Sequence, residues 1–138
     1  MRVGEVCNRE VIVANREESV LAAKLMRDNH VGDLVVVESQ AQRRAPVGII
    51  TDRDLVVEIL AKEVDPNAVI IGEAMSEELV TAAEDEEFMA VVKRMRQHGV
   101  RRVPVVDAQG GLVGLLAVDD VLDFNRRGAR RSGGHHRP

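Results

Sequence analysis

The feature that most constrains the fold is an internal repeat. Met26 and Met95 lie 69 residues apart, whereas Asp54 and Asp120 lie 66 apart. The offset changes at a loop that is three residues shorter in the second copy. A constant offset that changes only in a loop indicates a duplicated unit. Each copy has roughly 65 residues, too few to bury a robust core alone, so the two copies must pack together.

Each copy has the same order of predicted elements. In the first copy, short β-branched runs at 11–13 and 47–50 predict strands, and the apolar run at 34–37 predicts a strand covered on both faces. Apolar residues at helical spacing predict amphipathic helices around 17–27 and 55–60. The order strand, helix, strand, strand, helix then begins again, with residues 79–81 in the place of the first strand.

This order predicts an α/β fold of tandem repeats, each β-α-β-β-α. A sheet with helices on one face needs cover on the other, and packing the two sheets together about a pseudo-twofold axis supplies it. That arrangement leaves two equivalent clefts between the copies. We expect a first repeat at 1–62, a linker at 63–68, a second repeat at 69–124, and a basic, disordered tail at 125–138.

Composition excludes several classes of function. The chain has two Phe and no Trp or Tyr, and five of its arginines fall in the last thirteen residues, so the body before them is acidic. An acidic body without stacking aromatics argues against nucleic-acid binding. No stretch approaches a membrane span or a signal peptide. The single cysteine, Cys7, allows no intrachain disulfide and fits the cytoplasm, and we interpret it as a small packing residue.

Gly48, Thr51 and Asp54 form the motif most relevant to function. Thr-x-x-Asp before a helix is typical of a capping box, in which both side chains bond free backbone N–H groups. The same hydroxyl can donate to a phosphate oxygen while the carboxylate accepts from a vicinal diol. Glycine at the third position before Thr51 lets another group approach the backbone closely. The two interpretations, a helix cap and a sugar-phosphate site, can both hold.

The chain resembles a pair of CBS domains, a regulatory module that often binds adenosine nucleotides. The resemblance covers about residues 1–124 and rests on four segments in order: 19–26, 34–37, 46–55 and 100–107. The family's nucleotide motif, Gly-x-x-Thr/Ser-x-x-Asp/Asn, is complete in the first copy. The second copy has Gly114 and Asp120 but Ala117 in the place of the hydroxyl.

The resemblance implies that each cleft is shared between the copies. Asp54 and Asp120 would hold ribose hydroxyls, and Thr51 would help to hold phosphate. For the first cleft it points to Ile49, Thr51, Asp54, Thr81, Val100, Arg101 and Arg102. For the second, weaker cleft it points to Ile12, Val31, Gly32, Asp33, Leu115 and Asp120.

The two clefts should differ in their affinity for anions. Arg101 and Arg102 beside the first hydroxyl suit phosphate. The second cleft lacks the hydroxyl and has Asp33 at the position of Arg102, where a carboxylate would repel an anion. The alternatives are a solvated edge for the two arginines and an ordinary turn residue for Asp33.

No nucleophile–base pair or set of metal ligands is evident in the sequence, so an enzyme is not expected. The resemblance implies a stand-alone sensor that binds an adenosine nucleotide as its regulatory ligand, AMP first, with ATP, ADP, NAD or S-adenosylmethionine as alternatives and no metal. Binding would shift repeat or dimer packing and signal to an unidentified regulated protein. A homodimer without membrane or nucleic-acid partners is expected. The alternative is a dimerising scaffold that has lost its ligand.

Overall fold

The structure is a computed structural model and describes residues 1–40, 43–76 and 79–117. Six strands build two sheets: β1 Val13–Asn15, β2 Asp33–Gln40, β3 Arg43–Thr51, β4 Ala82–Ala83, β5 Arg102–Val106 and β6 Leu112–Ala117. The α-helices are α1 Val3–Val6, α2 Lys24–Asn29, α3 Asp52–Leu55, α4 Ile71–Ala74 and α5 Phe88–His98. Shorter turns are the 3-10 segments Val20–Ala23 and Pro66–Ala68, and the π-helical segment Val56–Leu60 that continues α3.

The two sheets are equivalent in topology. One has the strand order β1-β2-β3 and the other β4-β5-β6. In each, the first pair is parallel and the second antiparallel. The antiparallel ladders even shift register at equivalent places, between Val36 and Val37 and between Val105 and Val106. The predicted α/β fold of tandem repeats is confirmed.

The central strand of each sheet is covered on both faces. Leu34, Val35 and Val36 are fully buried, and so are Val103 and Val105 in the second sheet. A strand with helices on one face and the other repeat on the opposite face has no solvated side, which explains the continuous apolar run at 34–37. This prediction is confirmed.

The first strand of each repeat starts later than predicted. β1 and β4 lie at Val13–Asn15 and Ala82–Ala83, instead of at 11–13 and 79–81. The ladder with β2 begins at Val13, opposite Val35. Residues 79 and 80 line a cavity instead of pairing with a strand.

The first predicted helix also differs from expectation. It starts as the 3-10 turn Val20–Ala23 and becomes α-helical only at Lys24. The tighter turn rotates the apolar face, so that Val20 is buried while Leu21 is 42% exposed. Both Val20 and Leu21 border an apolar cavity.

Two short helices, α1 and α4, were not predicted, and each packs on the other repeat. The backbone N–H of Val3 donates to Glu86 O at 2.9 Å, in the second repeat. The equivalent N–H of Ile71 donates to Glu18 O at 2.8 Å, in the first repeat. The repeats therefore exchange their N-terminal segments.

The exchange places apolar residues of each short helix in the opposite core. Val3 is fully buried among second-repeat residues, including Phe88 and Leu116. Ile71 is 1% exposed and packs in the first-repeat core with Leu34 and Ile50. Each core is completed by the other half of the chain.

The last helix predicted for the second copy and the predicted tail at 125–138 lie outside the described residues. Within the ranges that the structure does describe, none of the helices has the length and apolar character needed to cross a membrane.

Candidate functional site

The end of β3 and the start of α3 are fixed by reciprocal hydrogen bonds. Thr51 Oγ1 accepts from the backbone N–H of Asp54 at 3.1 Å. Asp54 Oδ2 accepts from the backbone N–H of Thr51 at 2.9 Å. This is the capping box that the sequence predicts, and it holds both side chains in one orientation.

The capping box leaves ligand-binding capacity on both side chains. As an acceptor in that bond, the Thr51 hydroxyl keeps its own hydrogen to donate. Asp54 uses Oδ2 in the cap, and its Oδ1 makes no hydrogen bond with the described residues. Both residues are only partly buried. A donor and an acceptor are therefore available side by side at the protein surface.

These two groups open into a cavity of about 240 Å³ between the repeats. Nine residues from both halves of the chain line it: Ile49, Thr51, Asp54, Ser76, Leu79, Val80, Val100, Arg101 and Arg102. The structure thus brings together six of the seven residues expected in the first cleft. Thr81 is the exception, since it lies outside the lining and its carbonyl accepts from Arg94 Nη1 at 2.8 Å.

Sequence reasoning missed Ser76, Leu79 and Val80 in this cavity. Residues 79 and 80 were predicted to form a strand and pair within the sheet, so they were not expected in a cavity lining. Ser76 follows α4 and forms an antiparallel bridge with Ile49, which places it in the cavity lining. The available signal was a second short repeat, Val3-Gly4-Glu5 and Ile71-Gly72-Glu73, 68 residues apart.

The motif glycines are explained by the exchanged segments. A Cβ at Gly48 would lie 2.7 Å from Met75 Sδ and 3.0 Å from Ser76 O. A Cβ at Gly114 would lie 2.5 Å from Cys7 Sγ and 2.9 Å from the carbonyl of Asn8. The group that approaches each glycine is thus the other repeat's N-terminal segment, and both motifs need glycine for packing.

The two cavity arginines have different environments. Arg101 is exposed, whereas the Arg102 side chain is 33% exposed and its Nε donates to Asp33 Oδ2. Asp33 is 15% exposed. Burial raises the pKa of the Asp33 carboxyl, Arg102 opposes that rise, and nearby Asp52 adds to it. Neither Arg102 nor Asp33 is an isolated surface residue, which excludes the solvated-edge interpretation for Arg102.

The residues expected in the second cleft are only partly within the described chain. Ile12 O accepts from Val35 N–H at 3.1 Å, and Leu115 forms an antiparallel bridge with Asn8, as Ile49 does with Ser76. Val31 is exposed. Asp120 lies outside the described residues.

Gly32 and Asp33, also expected in the second cleft, contact first-cleft elements. Gly32 O accepts from the backbone N–H of Asp52, in the first turn of α3, at 3.0 Å. Asp33 bonds Arg102, which lines the first cavity.

A larger cavity of about 440 Å³ lies against the outer helices of the first repeat. Its lining is mostly apolar: Val20, Leu21, Ala23, Lys24, Leu55, Ile59, Leu60, Glu63, Val64 and Pro66. It lacks the adjacent hydroxyl and carboxylate of the smaller cavity, so the smaller cavity is the candidate site. Among residues 1–40, 43–76 and 79–117, no three His, Cys, Asp or Glu residues cluster as metal ligands would.

Two packed β-α-β-β units with a hydroxyl–carboxylate pair between them define a tandem-repeat α/β module with a candidate site shared by both repeats. The family model for the CBS domain matches the chain twice, at residues 3–61 and 71–127. The chain therefore belongs to the CBS domain family.

Two relatives illustrate the sequence similarity. The chain is 39% identical over 121 residues to an uncharacterised protein of Methanopyrus kandleri, across 87% of this chain and 60% of that protein. It is 30% identical to hypoxic response protein 1 of Mycobacterium tuberculosis, across 88% of this chain and 78% of that protein. The chain thus spans less than two thirds of the first relative.

Three solved structures share the fold. Hypoxic Response Protein I with two coordinated zinc ions is 28% identical with a TM-score of 0.75, covering 90% of this chain and 98% of that one. The CBS domain pair of protein MJ0100, in complex with 5′-methylthioadenosine and S-adenosyl-L-methionine, has the same identity and TM-score, covering 95% and 98%. A hexameric CBS-CP12 protein from bloom-forming cyanobacteria is 26% identical with a TM-score of 0.76, covering 91% and 73%.

These structures correct the ligand prediction. An adenosine nucleotide with AMP first and no metal was expected, and this prediction is wrong. The Hypoxic Response Protein I structure contains two coordinated zinc ions. The MJ0100 pair holds a thioether and a sulfonium compound of adenosine, neither of which has a phosphate.

Proposed function

We propose that this CBS pair is a regulatory, non-catalytic module that binds an adenosine-containing compound in the Thr51 cavity. The observation that carries the proposal is the pairing of Thr51 and Asp54 at a cavity lined by both repeats. A volume of about 240 Å³ is below the roughly 300–1,000 Å³ of drug-sized sites, which suits a nucleoside better than a polyphosphate.

The lining divides into a polar and an apolar part. Asp54 Oδ1 accepts from a ribose hydroxyl, and the Thr51 hydroxyl donates to a ligand oxygen or nitrogen. Ile49, Val80 and Val100 offer aliphatic surface to the purine, since the chain has no Tyr or Trp to stack on it. The ligands of the MJ0100 pair support adenosine as the common part of the ligand.

Regulation follows from the position of the cavity. Ile49 and Ser76 come from different repeats and are joined by a backbone bridge within the lining. A ligand that fits one relative position of the repeats better than another shifts the population toward that position, by no more than its difference in affinity. A partner protein that distinguishes the two positions reads the signal.

A homodimer is the proposed assembly. Four apolar side chains on the outer helical face of the first repeat are exposed: Leu21, Val56, Val57 and Leu60. Leu21 and Leu60 line the larger apolar cavity, and burying all four side chains against a second copy removes this surface from water. The hexameric CBS-CP12 protein supports self-association of the fold.

The ligand proposal is tested by a thermal-shift panel of 5′-methylthioadenosine, S-adenosylmethionine, AMP and ATP. A ligand at a hundred times its dissociation constant stabilises by about 2.7 kcal/mol. In a chain of this length that raises the melting temperature by roughly 5–10 °C. At least one compound should give such a shift with the wild-type chain.

Two variants remove the proposed contacts, and two controls match them. Thr51→Val removes the donor, and Asp54→Asn removes the charge while the amide oxygen can still accept in the cap. Both should reduce the shift by at least half. Thr81→Val and Asp28→Asn make the same chemical changes outside the cavity and should leave the shift unchanged. If no compound moves the wild-type melting temperature, the alternative scaffold function is favoured.

A further inference from the structure

Asp33 and Arg102 are equivalent positions of the two repeats, and they bond each other. Asp33 is the first residue of β2, and Arg102 is the first residue of β5. They lie 69 residues apart, the offset of the repeat. A contact between two equivalent residues lies on the pseudo-twofold axis that relates them. The duplication thus has a carboxylate on one side of the axis and a guanidinium on the other.

The pair also joins the two ligand motifs. Asp33 lies opposite Thr51 in the β2–β3 ladder. Arg102 lies opposite Ala117, the position of the missing hydroxyl, in the β5–β6 ladder. Arg102 lines the Thr51 cavity as well. The carboxylate that holds Arg102 is therefore a direct neighbour of the first motif.

The pair changes how the cavity can receive a negative charge. Arg102 is the less exposed of its two arginines, and its Nε already bonds Asp33. A phosphate that drew Arg102 away would leave the Asp33 carboxylate, with 15% exposure, without its charged partner. Removing one partner of a partly buried ion pair is costly because the other charge stays desolvated. Asp33 and Asp54 would also repel the phosphate directly.

We propose that Asp33 sets the charge selectivity of the Thr51 cavity by holding Arg102, so that adenosine compounds with an uncharged or cationic 5′ group bind in preference to 5′-phosphates. Asp33 acts through Arg102 and is a positioning residue for ligand selectivity. The inference rests on the proposed function, because it concerns the ligand of the same cavity.

The test compares two ligands that differ at the 5′ position. Dissociation constants of 5′-methylthioadenosine, which is uncharged, and AMP, a dianion at pH 7.5, are measured by calorimetry. Asp33→Asn keeps the shape of the side chain but removes its charge, which frees Arg102 for the phosphate. We expect AMP binding to tighten about tenfold relative to 5′-methylthioadenosine. Asp28→Asn is the control, since it makes the same change at an exposed residue.

A second variant covers the case in which Asp33→Asn fails to fold. Arg102→Gln shortens the more exposed partner of the pair, which is 33% exposed against 15% for Asp33. It leaves the Asp33 charge unopposed, and AMP should weaken about tenfold relative to 5′-methylthioadenosine. The double variant should return the ratio of the two constants to near its wild-type value, because both charges are gone.

The outcomes separate this inference from the proposed function. Opposite shifts of the ratio in the two single variants support it. If both ligands bind and the ratio stays within about twofold in every variant, the selectivity role of Asp33 is refuted while the adenosine site stands. If neither ligand binds the wild type or Asp33→Asn, both the inference and the proposed site are wrong.

Discussion

Replacing Ile71 with alanine should loosen the first repeat, although residue 71 belongs to the second. Ile71 is 1% exposed, and its neighbours include Leu34 and Ile50 of the first sheet. The converse replacement, Val3→Ala, should loosen the second repeat, where Val3 packs with Phe88. The crosswise pattern follows only if the short helices are exchanged.

The size of each effect follows from the carbon atoms removed. Ile71→Ala deletes three buried carbons, about 2.4 kcal/mol at about 0.8 kcal/mol each. Because the surrounding side chains fill only part of the space left by the deleted atoms, the loss of unfolding free energy rises to about 3–4 kcal/mol. Val3→Ala deletes two carbons and should cost about 2–3 kcal/mol. At about 3 °C per kcal/mol, melting temperatures should fall by about 10 °C and 7 °C.

Hydrogen–deuterium exchange with peptide resolution locates each effect. With Ile71→Ala, exchange should rise most in Asp33–Gln40 and Arg43–Thr51. With Val3→Ala, it should rise most in Arg102–Val106 and Leu112–Ala117. Met89→Ala is the control: its side chain is 53% exposed, so the free energy of unfolding should change by less than about 0.5 kcal/mol.

The exchange of helices is refuted if each variant loosens its own repeat most. Equal increases in both sheets at every exposure time would also contradict it, because the two cores would then share no specific partner helix. A loss below about 1 kcal/mol for Ile71→Ala would show that the residue is not buried as described.

Three further changes test other contacts. Gly114→Ala should destabilise by about 1–3 kcal/mol, since the new Cβ would lie 2.9 Å from the carbonyl of Asn8; unchanged melting would contradict this close approach. Glu86→Gln should make the free energy of unfolding depend less on pH in the acidic range. The hydrogen bond from Arg94 lowers the pKa of Glu86 in the folded state, so the carboxylate stabilises the fold above its unfolded-state pKa, and this stabilisation is lost as the pH falls through its folded-state pKa. Melting curves between pH 3 and 7, with flatter dependence in the variant, check this sign. Leu60→Glu, at a 72% exposed position, should give a monomer by light scattering if the apolar face is a dimer interface.

The repeated pattern was sufficient to predict the main architecture. Residues 34–37 were predicted to be a doubly covered strand because burial on both faces leaves an uninterrupted apolar run, and that signal does not depend on neighbours. The Thr51 capping box was equally local, since its partners lie three residues apart. Such features can be predicted from the sequence because they depend on residues close together in the chain and little on tertiary contacts.

The exchange of α1 and α4 could not be predicted in the same way. Four-residue helices are too short for a periodic pattern, and their stability comes from the tertiary hydrogen bonds of residues such as Val3 and Ile71. The contact of Asp33 with Arg102 was also missed, although both residues were singled out. Each was assigned to a separate cleft, and only the packing of the repeats shows that both lie at one axis.

The exchanged segment connects the proposed ligand cavity to the core of the first repeat. Ser76 lines the cavity and belongs to the same exchanged segment as Ile71, which is buried in the core of the first repeat. Gly48, three residues before Thr51, lets Met75 and Ser76 cross β3 closely. A ligand bound as proposed by Thr51 and Asp54 would therefore contact, at Ser76, the segment that completes the core of the first repeat. Because packed segments of this kind move between discrete arrangements and do not deform continuously, a small difference in ligand fit can select between two positions of the repeats.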